Sequence, residues 1–213
     1  MVALAESNPD FLGKSIGFWD PLGALDTNFW GLGNEGTIGY LRHAEIKHGR
    51  VAMAAFLGQL AQSTPLVSGP HKILPFKGYT PGLSPPEQWD AIPLVGKLQI
   101  ITFIGMLESY GEILAPHYTK GGLPGYYPPI KGKRPELVFN LYDPFGFFKD
   151  NSEEKKARGR LSEVNNGRLA MFGILSILSE ATTPGSVPAL KGLVYSYSGN
   201  VMIPFQGDFS IFA

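Results

Sequence analysis

Two short stretches carry the residue types that do chemistry. In HAEIKHGRVAMAAFLG, His43 to Gly58, Glu45, His48 and Arg50 stand at the head of an apolar run, and in RLSEVNNGRLAMFGIL, Arg160 to Leu175, Glu163, Asn166 and Arg168 do the same. Alignment pairs Glu45 with Glu163, His48 with Asn166, Gly49 with Gly167, Arg50 with Arg168, Ala52 with Ala170 and Met53 with Met171. On a helix each residue advances about 100°, so Glu45 and His48 share a face while Arg50 sits about 140° from Glu45. The Glu and Arg of one copy are badly placed to pair with each other. If the copies cross around a local two-fold axis, Glu45 meets Arg168 and Glu163 meets Arg50. Glycine at 49 and 167, with alanine at 52 and 170, lets the backbones approach at such a crossing. A carboxylate neutralised by Arg keeps a lone pair facing away from the pair. Together with the His48 imidazole and the Asn166 amide oxygen, the stretches offer four single axial ligands for a metal that needs one more bond.

Composition narrows the choice of metal and partner. Lys plus Arg equals Asp plus Glu at 18 each, so no basic field invites nucleic acid. Cysteine is absent, which removes thiolate chemistry and leaves oxygen and imidazole as the metal donors. The 27 glycines and 18 prolines gather in long connectors, Ser68 to Asp90 and Gly121 to Pro135.

The elements that must hold these residues read as three helices, about 39–63, 92–115 and 160–182, in one domain of 213 residues with a tail over 184–213. The middle segment, Ile92 to Ala115, is long enough to cross a hydrocarbon core, which takes about 20 residues. It carries Lys97, Gln99, Glu108 and Glu112, and the outer two are apolar mainly in their C-terminal halves. A buried helix of a soluble protein is therefore a competing reading of each. Charge placement favours an all-α membrane protein of three spans. The connector from Pro116 to Arg160 holds nine Lys and Arg, against two in Thr64 to Pro93 and one after Pro184, the asymmetry of the positive-inside rule. An unpaired charge within a membrane costs roughly 2.5 to 3.5 kcal/mol, so the pairing in trans is close to required. The N-terminus, MVALAESNPD, has neither a secretory nor a transit pattern and reads as a mature or nearly mature end.

EIKHGRVAM and EVNNGRLAM resemble the first and third membrane helices of the light-harvesting chlorophyll-binding proteins, and GFWDPLGAL and NLYDPFGFF resemble the Asp-Pro turns that precede them. The resemblance covers most of the chain and implies a single light-harvesting domain whose first and third helices cross around a pseudo-two-fold axis. It implies Glu45, His48, Glu163 and Asn166 as axial ligands of chlorophyll magnesium, with Arg50 and Arg168 neutralising the carboxylates. Fourteen residues after Asn166 it points to Glu180, and at the same place in the first copy to Gln62. Gln99 and Glu108 match ligand positions on the middle helix, or serve as ordinary buried polar groups. The turns, Trp19, Asp20, Pro21 and Leu22, and Tyr142, Asp143, Pro144 and Phe145, would each bind a carotenoid end group. The bland alternative is that the two Asp are turn formers.

The resemblance further implies chlorophyll a, chlorophyll c and carotenoids (peridinin or fucoxanthin, and diadinoxanthin-like xanthophylls). The lead-in GFWDPLG and the middle helix LQIITFIGMLE point to the chlorophyll a/c antennas of red-type plastids. The tail SVPALKGLVYSYSGNVMIPF resembles members associated with dinoflagellates and with photosystem I. The expected partners are thus a photosystem core, neighbouring antenna subunits and thylakoid lipids. The N-terminus and the 116–160 connector would be stromal and the C-terminus lumenal. Such a protein catalyses no bond chemistry.

Other classes fit less well. A di-iron carboxylate oxidase wants Glu-x-x-His twice and two further inward Glu, whereas Asn166 stands where the second His belongs. No H-E-x-x-H zinc motif occurs, and His71 and His117 are scattered, with His43 read as a helix-start or interfacial residue. A pigment-free bundle leaves the shared register of ligand, cation and glycine unaccounted for. Within the pigment-binding class, dissipation of excitation is a second function, for which Glu87 and Asp90 are the acid-sensing candidates.

Overall fold

The computed structural model describes residues 6, 17–63, 80, 82–113, 115–127, 143, 145–147, 150–205 and 208. Among these residues there are four α-helices and no β-strand: α1 (Gly33–Ser63), α2 (Pro85–Ala91), α3 (Leu94–Glu112) and α4 (Glu153–Thr182).

Both long helices start earlier than the apolar pattern predicts, because their first turns are set by caps rather than by hydropathy. Ahead of α1, Asn28 Oδ1 accepts the Gly33 N–H at 2.8 Å, and Glu35 lies in the first turn. Ahead of α4, Ser152 Oγ accepts the Lys155 N–H at 3.4 Å, and Glu153 and Glu154 follow. Acidic side chains there complement the helix dipole, so the polar run EEKKARGR joins the helix.

The middle helix stays close to expectation, and the departure lies just ahead of it. Proline has no N–H to give and disfavours helical backbone in the residue before it. Ile92, ahead of Pro93, is accordingly extended at ψ 130°, so the helix expected over 92–115 begins at Leu94, as α3, and a short helix that was not expected, α2, precedes it at a bend of 107°. α2 is built by a capping box: the Ser84 N–H and hydroxyl donate to Glu87 Oε2 at 2.8 and 2.6 Å, with proline at its first position. Among the described residues no single helix is both long and apolar enough to cross a membrane, although α2 and α3 together pass that test as a bent pair. At about 1.5 Å per residue, the 31 residues of α1 and 30 of α4 run about 45 Å, and the 19 of α3 about 28 Å. Apolarity, not length, is what α1 and α4 lack.

The chain divides into two compact units. One comprises residues 1–50 and 106–168, the other 51–105 and 169–213. In the first, α1 and α4 touch backbone to backbone: a Cβ added to Gly49 would lie 3.0 Å from Gly167 Cα, and one added to Gly167 2.9 Å from Gly49 Cα. Ile46 and Val164 bury each other beside this contact, and Leu25 packs on Ile38 with Phe18 and Leu41. In the second unit the tail folds back after α4. The Tyr197 N–H donates to the Ala181 carbonyl at 2.7 Å and its hydroxyl to Asp90 Oδ2 at 2.7 Å. Trp89 Nε1 donates to the Pro204 carbonyl at 2.6 Å, and Lys97, only 1% exposed, binds Asp208 Oδ2 at 2.6 Å. Burial and the Asp90 carboxylate push the Tyr197 hydroxyl up to about 12.

Candidate functional site

The glycine contact sets the two charged stretches side by side, and their charges pair across it. Arg50 Nε donates to Glu163 Oε1 at 2.6 Å, and Arg168 Nε to Glu45 Oε1 at 2.6 Å. The settings match: Arg50 and Glu163 are 39% and 33% exposed, Arg168 and Glu45 35% and 30%. One oxygen of each carboxylate is taken, and the second accepts no hydrogen bond among the described residues. Each pair carries no net charge yet presents an oxygen lone pair at a partly open surface.

The neighbouring candidates, His48 and Asn166, are prepared in the same way. His48 Nδ1 lies 2.7 Å from the Ala44 carbonyl, and since a carbonyl only accepts, the proton is on Nδ1 and Nε2 keeps its lone pair. Asn166 Nδ2 donates to Ser162 Oγ at 3.3 Å, which leaves the amide oxygen free. Ala44 and Ser162 are equivalent positions of the repeat, one turn before His48 and Asn166. Both of these side chains are exposed. Four donors with one open lone pair each fit a magnesium already held by four ring nitrogens. They fit a di-iron site poorly, because each glutamate is occupied by a guanidinium.

The remaining expected residues are placed less uniformly. Glu108 has both oxygens 2.7 Å from Lys47 Nζ. Glu180 is 4% exposed and accepts the Gly185 and Val187 N–H groups at 2.9 and 2.8 Å, so its carboxylate closes the end of α4. Gln99 is exposed on α3. Gln62 lines a cavity of about 490 Å³ in the second unit, together with Trp89, Asp90 and Tyr197.

Asp20 accepts the Ala24 and Leu25 N–H groups at 2.9 and 3.0 Å, and Asp143 the Phe147 N–H at 2.7 Å. Both carboxylates shape their turns, and the apolar neighbours Trp19, Leu22 and Phe145 stand 74%, 90% and 80% exposed. Pro21 is exposed beside them, and Tyr142 and Pro144 lie outside the described residues. His43 is not a helix-start residue: α1 begins at Gly33, and the imidazole is half-buried, stacked on Tyr118 at 3.8 Å with 13° between the planes.

Sequence reasoning missed the segment after α3, which docks on α1. The Gly125 N–H donates to His43 Nδ1 at 3.1 Å, and Arg50 Nη1 donates to the Gly125 carbonyl at 2.6 Å. Beside them the Tyr118 hydroxyl is pushed up to about 12, by burial first and then by the Glu112 carboxylate. Nothing local announces contacts between residues 82 and 75 positions apart. The one signal is the glycine itself, at φ 74°.

A family model described as chlorophyll A-B binding protein matches residues 5–182. The fucoxanthin-chlorophyll a-c binding protein of Trieres chinensis is 34% identical over 176 residues, covering 81% of this chain and 77% of its own. Fucoxanthin-chlorophyll a-c binding protein B of Macrocystis pyrifera is 34% identical over 190 residues, covering 86% and 77%. Protein B of the same description from Phaeodactylum tricornutum is 33% identical over 163 residues, covering 76% and 72%.

Proposed function

Because the chain belongs to the chlorophyll A-B binding protein family, we propose that it is a light-harvesting antenna subunit that holds chlorophyll a, chlorophyll c and a fucoxanthin-type carotenoid and serves a photosystem. The observation that carries this reading is the pair of reciprocal Glu–Arg bridges, each of which leaves one carboxylate oxygen open. When bound, such pigments absorb light and pass excitation among themselves, and the carotenoids quench chlorophyll triplets.

The chain's own contribution is positional. Glu45, His48, Glu163 and Asn166 each hold one magnesium, and Arg50 and Arg168 cancel the charge that the two carboxylates would otherwise carry into a dry site. Gly49 and Gly167 fix the distance between the two sets. Trp19, Leu22 and Phe145 offer apolar surface to carotenoid end groups on turns that Asp20 and Asp143 hold in shape. Gln62 and Gln99 are further donors, whereas Glu108 and Glu180 hold the chain to itself.

We place the protein in the plastid thylakoid membrane with α1, α3 and α4 as its three spans. The N-terminus and the 116–160 connector are then stromal and the tail lumenal. The helix lengths support this, as does the cancellation of Glu against Arg, which removes most of the cost of those charges in lipid. The exposed apolar residues of α3, among them Val95, Leu98, Phe103 and Ile104, suit lipid and pigment contacts. The tail lies beyond the residues matched by the family model, and its resemblance to photosystem I members makes photosystem I the proposed recipient, with neighbouring antenna subunits and thylakoid lipids alongside.

Dissipation of excitation is the second reading, and it needs lumenal acids that titrate as the lumen acidifies. The hydrogen bonds from Ser84 hold the Glu87 carboxyl below the ordinary carboxylate range. A depressed value means its contribution to the α2 cap is present above the ordinary range and is lost only as pH falls through the depressed value. Glu87 therefore stays charged on mild acidification. We expect the fluorescence lifetime to hold constant from neutral to mildly acidic pH, and a lifetime that shortens would favour dissipation. The antenna reading itself is tested by an absorption spectrum and solvent extract of the native protein. Chlorophyll a and c bands with an extracted xanthophyll are expected, and a colourless, folded native preparation would overturn it.

A further inference from the structure

We infer that His43 and Gly125 are positioning residues for Arg50, and through it for the magnesium-binding oxygen of Glu163. The inference rests on the antenna reading above. His43, Ile46 and Arg50 fall on one face of α1 at spacings of about one and two turns, and all three meet Gly125. The Gly125 N–H donates to His43 Nδ1 at 3.1 Å, and its carbonyl accepts from Arg50 Nη1 at 2.6 Å. A Cβ added to Gly125 would lie 2.6 Å from Ile46 Cγ2, in a backbone held at φ 74°. Both peptide groups of one buried glycine are thus satisfied by two side chains of α1.

The consequence lies in how a guanidinium meets a carboxylate. Left alone, Arg tends to grip a carboxylate with two parallel N–H bonds, which occupies both oxygens. Here Nη1 is tied to the Gly125 carbonyl, and that second anchor fixes the plane in which the guanidinium meets Glu163, with Nε on Oε1 at 2.6 Å and the second oxygen open. His43 fixes the other side of the same glycine. Its Nδ1 accepts an N–H and its ring lies flat on Tyr118, so that nitrogen anchors the loop and has no lone pair left for a metal.

Three variants of the pigment-loaded protein test this. His43→Phe keeps the stacked ring and removes the acceptor, while His43→Asn keeps an acceptor near the Nδ1 position and removes the stacking. Arg50→Lys keeps the charge opposite Glu163 but replaces a planar fork with a point donor that cannot serve both partners. His43→Phe is expected to raise amide exchange in the peptide containing Gly125 roughly three- to tenfold, the range a lost neutral hydrogen bond gives. It should also alter the red-band circular dichroism, with His43→Asn close to wild type on both readouts and Arg50→Lys sharing the dichroism change. His43→Phe and His43→Asn behaving alike, or Arg50→Lys leaving the dichroism unchanged, would overturn the positioning role while the antenna reading stands. A wild-type protein without chlorophyll would instead overturn the antenna reading.

Discussion

On α1, Glu45, His48, Gly49 and Arg50, and on α4, Glu163, Asn166, Gly167 and Arg168, place a carboxylate oxygen 2.6 Å from the guanidinium nitrogen of the facing helix. The glycine contacts agree to 0.1 Å, at 3.0 and 2.9 Å. The copies part company at the proposed ligand beside each pair. His48 is steered by a backbone carbonyl and presents an imidazole nitrogen, whereas Asn166 is steered by the Ser162 hydroxyl and presents an amide oxygen. Distance is thus set by backbone contact, where no larger side chain fits, and donor chemistry is set by single exposed side chains that can vary without moving either helix. Under the proposed function two pigments would sit in matching frames and be held by different donor atoms.

Breaking what the copies share has the largest expected effect. Gly49→Ala or Gly167→Ala forces the two backbones apart, and overpacking of this kind costs about 1–3 kcal/mol, more where backbone rather than a side chain must yield. The double variant is expected not to assemble with pigment, as read by loss of the red-band dichroism. Normal assembly of the double variant would mean that the helices do not touch at these glycines.

Next comes Arg50→Leu, which strips the charge partner from Glu163. Removing one member of a fully buried pair costs about 3–5 kcal/mol. With a third of the Glu163 side chain exposed, a loss of about 1–3 kcal/mol in thermal stability is expected, together with one chlorophyll. Glu163→Gln on that background should recover most of the stability by removing the orphaned charge. If Arg50→Leu melts and binds pigment as wild type does, the cross-helix pairing has no role.

Much of this frame was readable in the residues. The angle between Glu45 and Arg50 on a helix forbids their pairing, and the recurrence of both supplied the partner, so the reciprocal bridges follow from spacing alone. The glycines at 49 and 167 announced the close approach for the same reason. Helix starts were less legible, because Gly33 and Glu153 are placed by Asn28 and by an acidic first turn rather than by apolar periodicity. The middle helix was legible to within three residues at either end, whereas the short α2 ahead of Pro93, built by the Ser84–Glu87 capping box, was read as connector. The docking of Gly125 on His43 and Arg50, and of Lys47 on Glu108, depends on chain reversals that no local pattern encodes. Glu180 illustrates the converse: its place in the repeat marks a ligand, but burial and two backbone N–H donors give it a cap to make instead.

Smaller effects separate the copies from each other. His48→Leu and Asn166→Leu are each expected to lose about one chlorophyll and to cost well under the Arg50→Leu variant in melting temperature, since both side chains are exposed and neither is charged against a partner. Asn166→His should keep the pigment count and shift the red absorption, making the two copies alike. Loss of the same single spectral component from both Leu variants would show that the two ligands serve one pigment rather than two.

The smallest expected effect comes from Ser162→Ala. At position 162 the side chain of α4 does what the backbone of α1 does at position 44: it takes the hydrogen of the ligand one turn on and leaves the ligand's lone pair free. The bond is 3.3 Å long and exposed, so its loss costs little, about 0.5 kcal/mol at most. What changes is direction. Without the Ser162 hydroxyl the Asn166 amide is free to rotate, and its oxygen points at the metal for less of the time. Full pigment content with a broadened or shifted band from one chlorophyll is expected, read by difference absorption at low temperature. The His48 site, steered by a carbonyl that no substitution at Ala44 removes, should show no such sensitivity to Ala44→Ser. A band that moves equally in both variants would mean that the steering is not local to the ligand, and the distinction drawn between the two copies would fall with it.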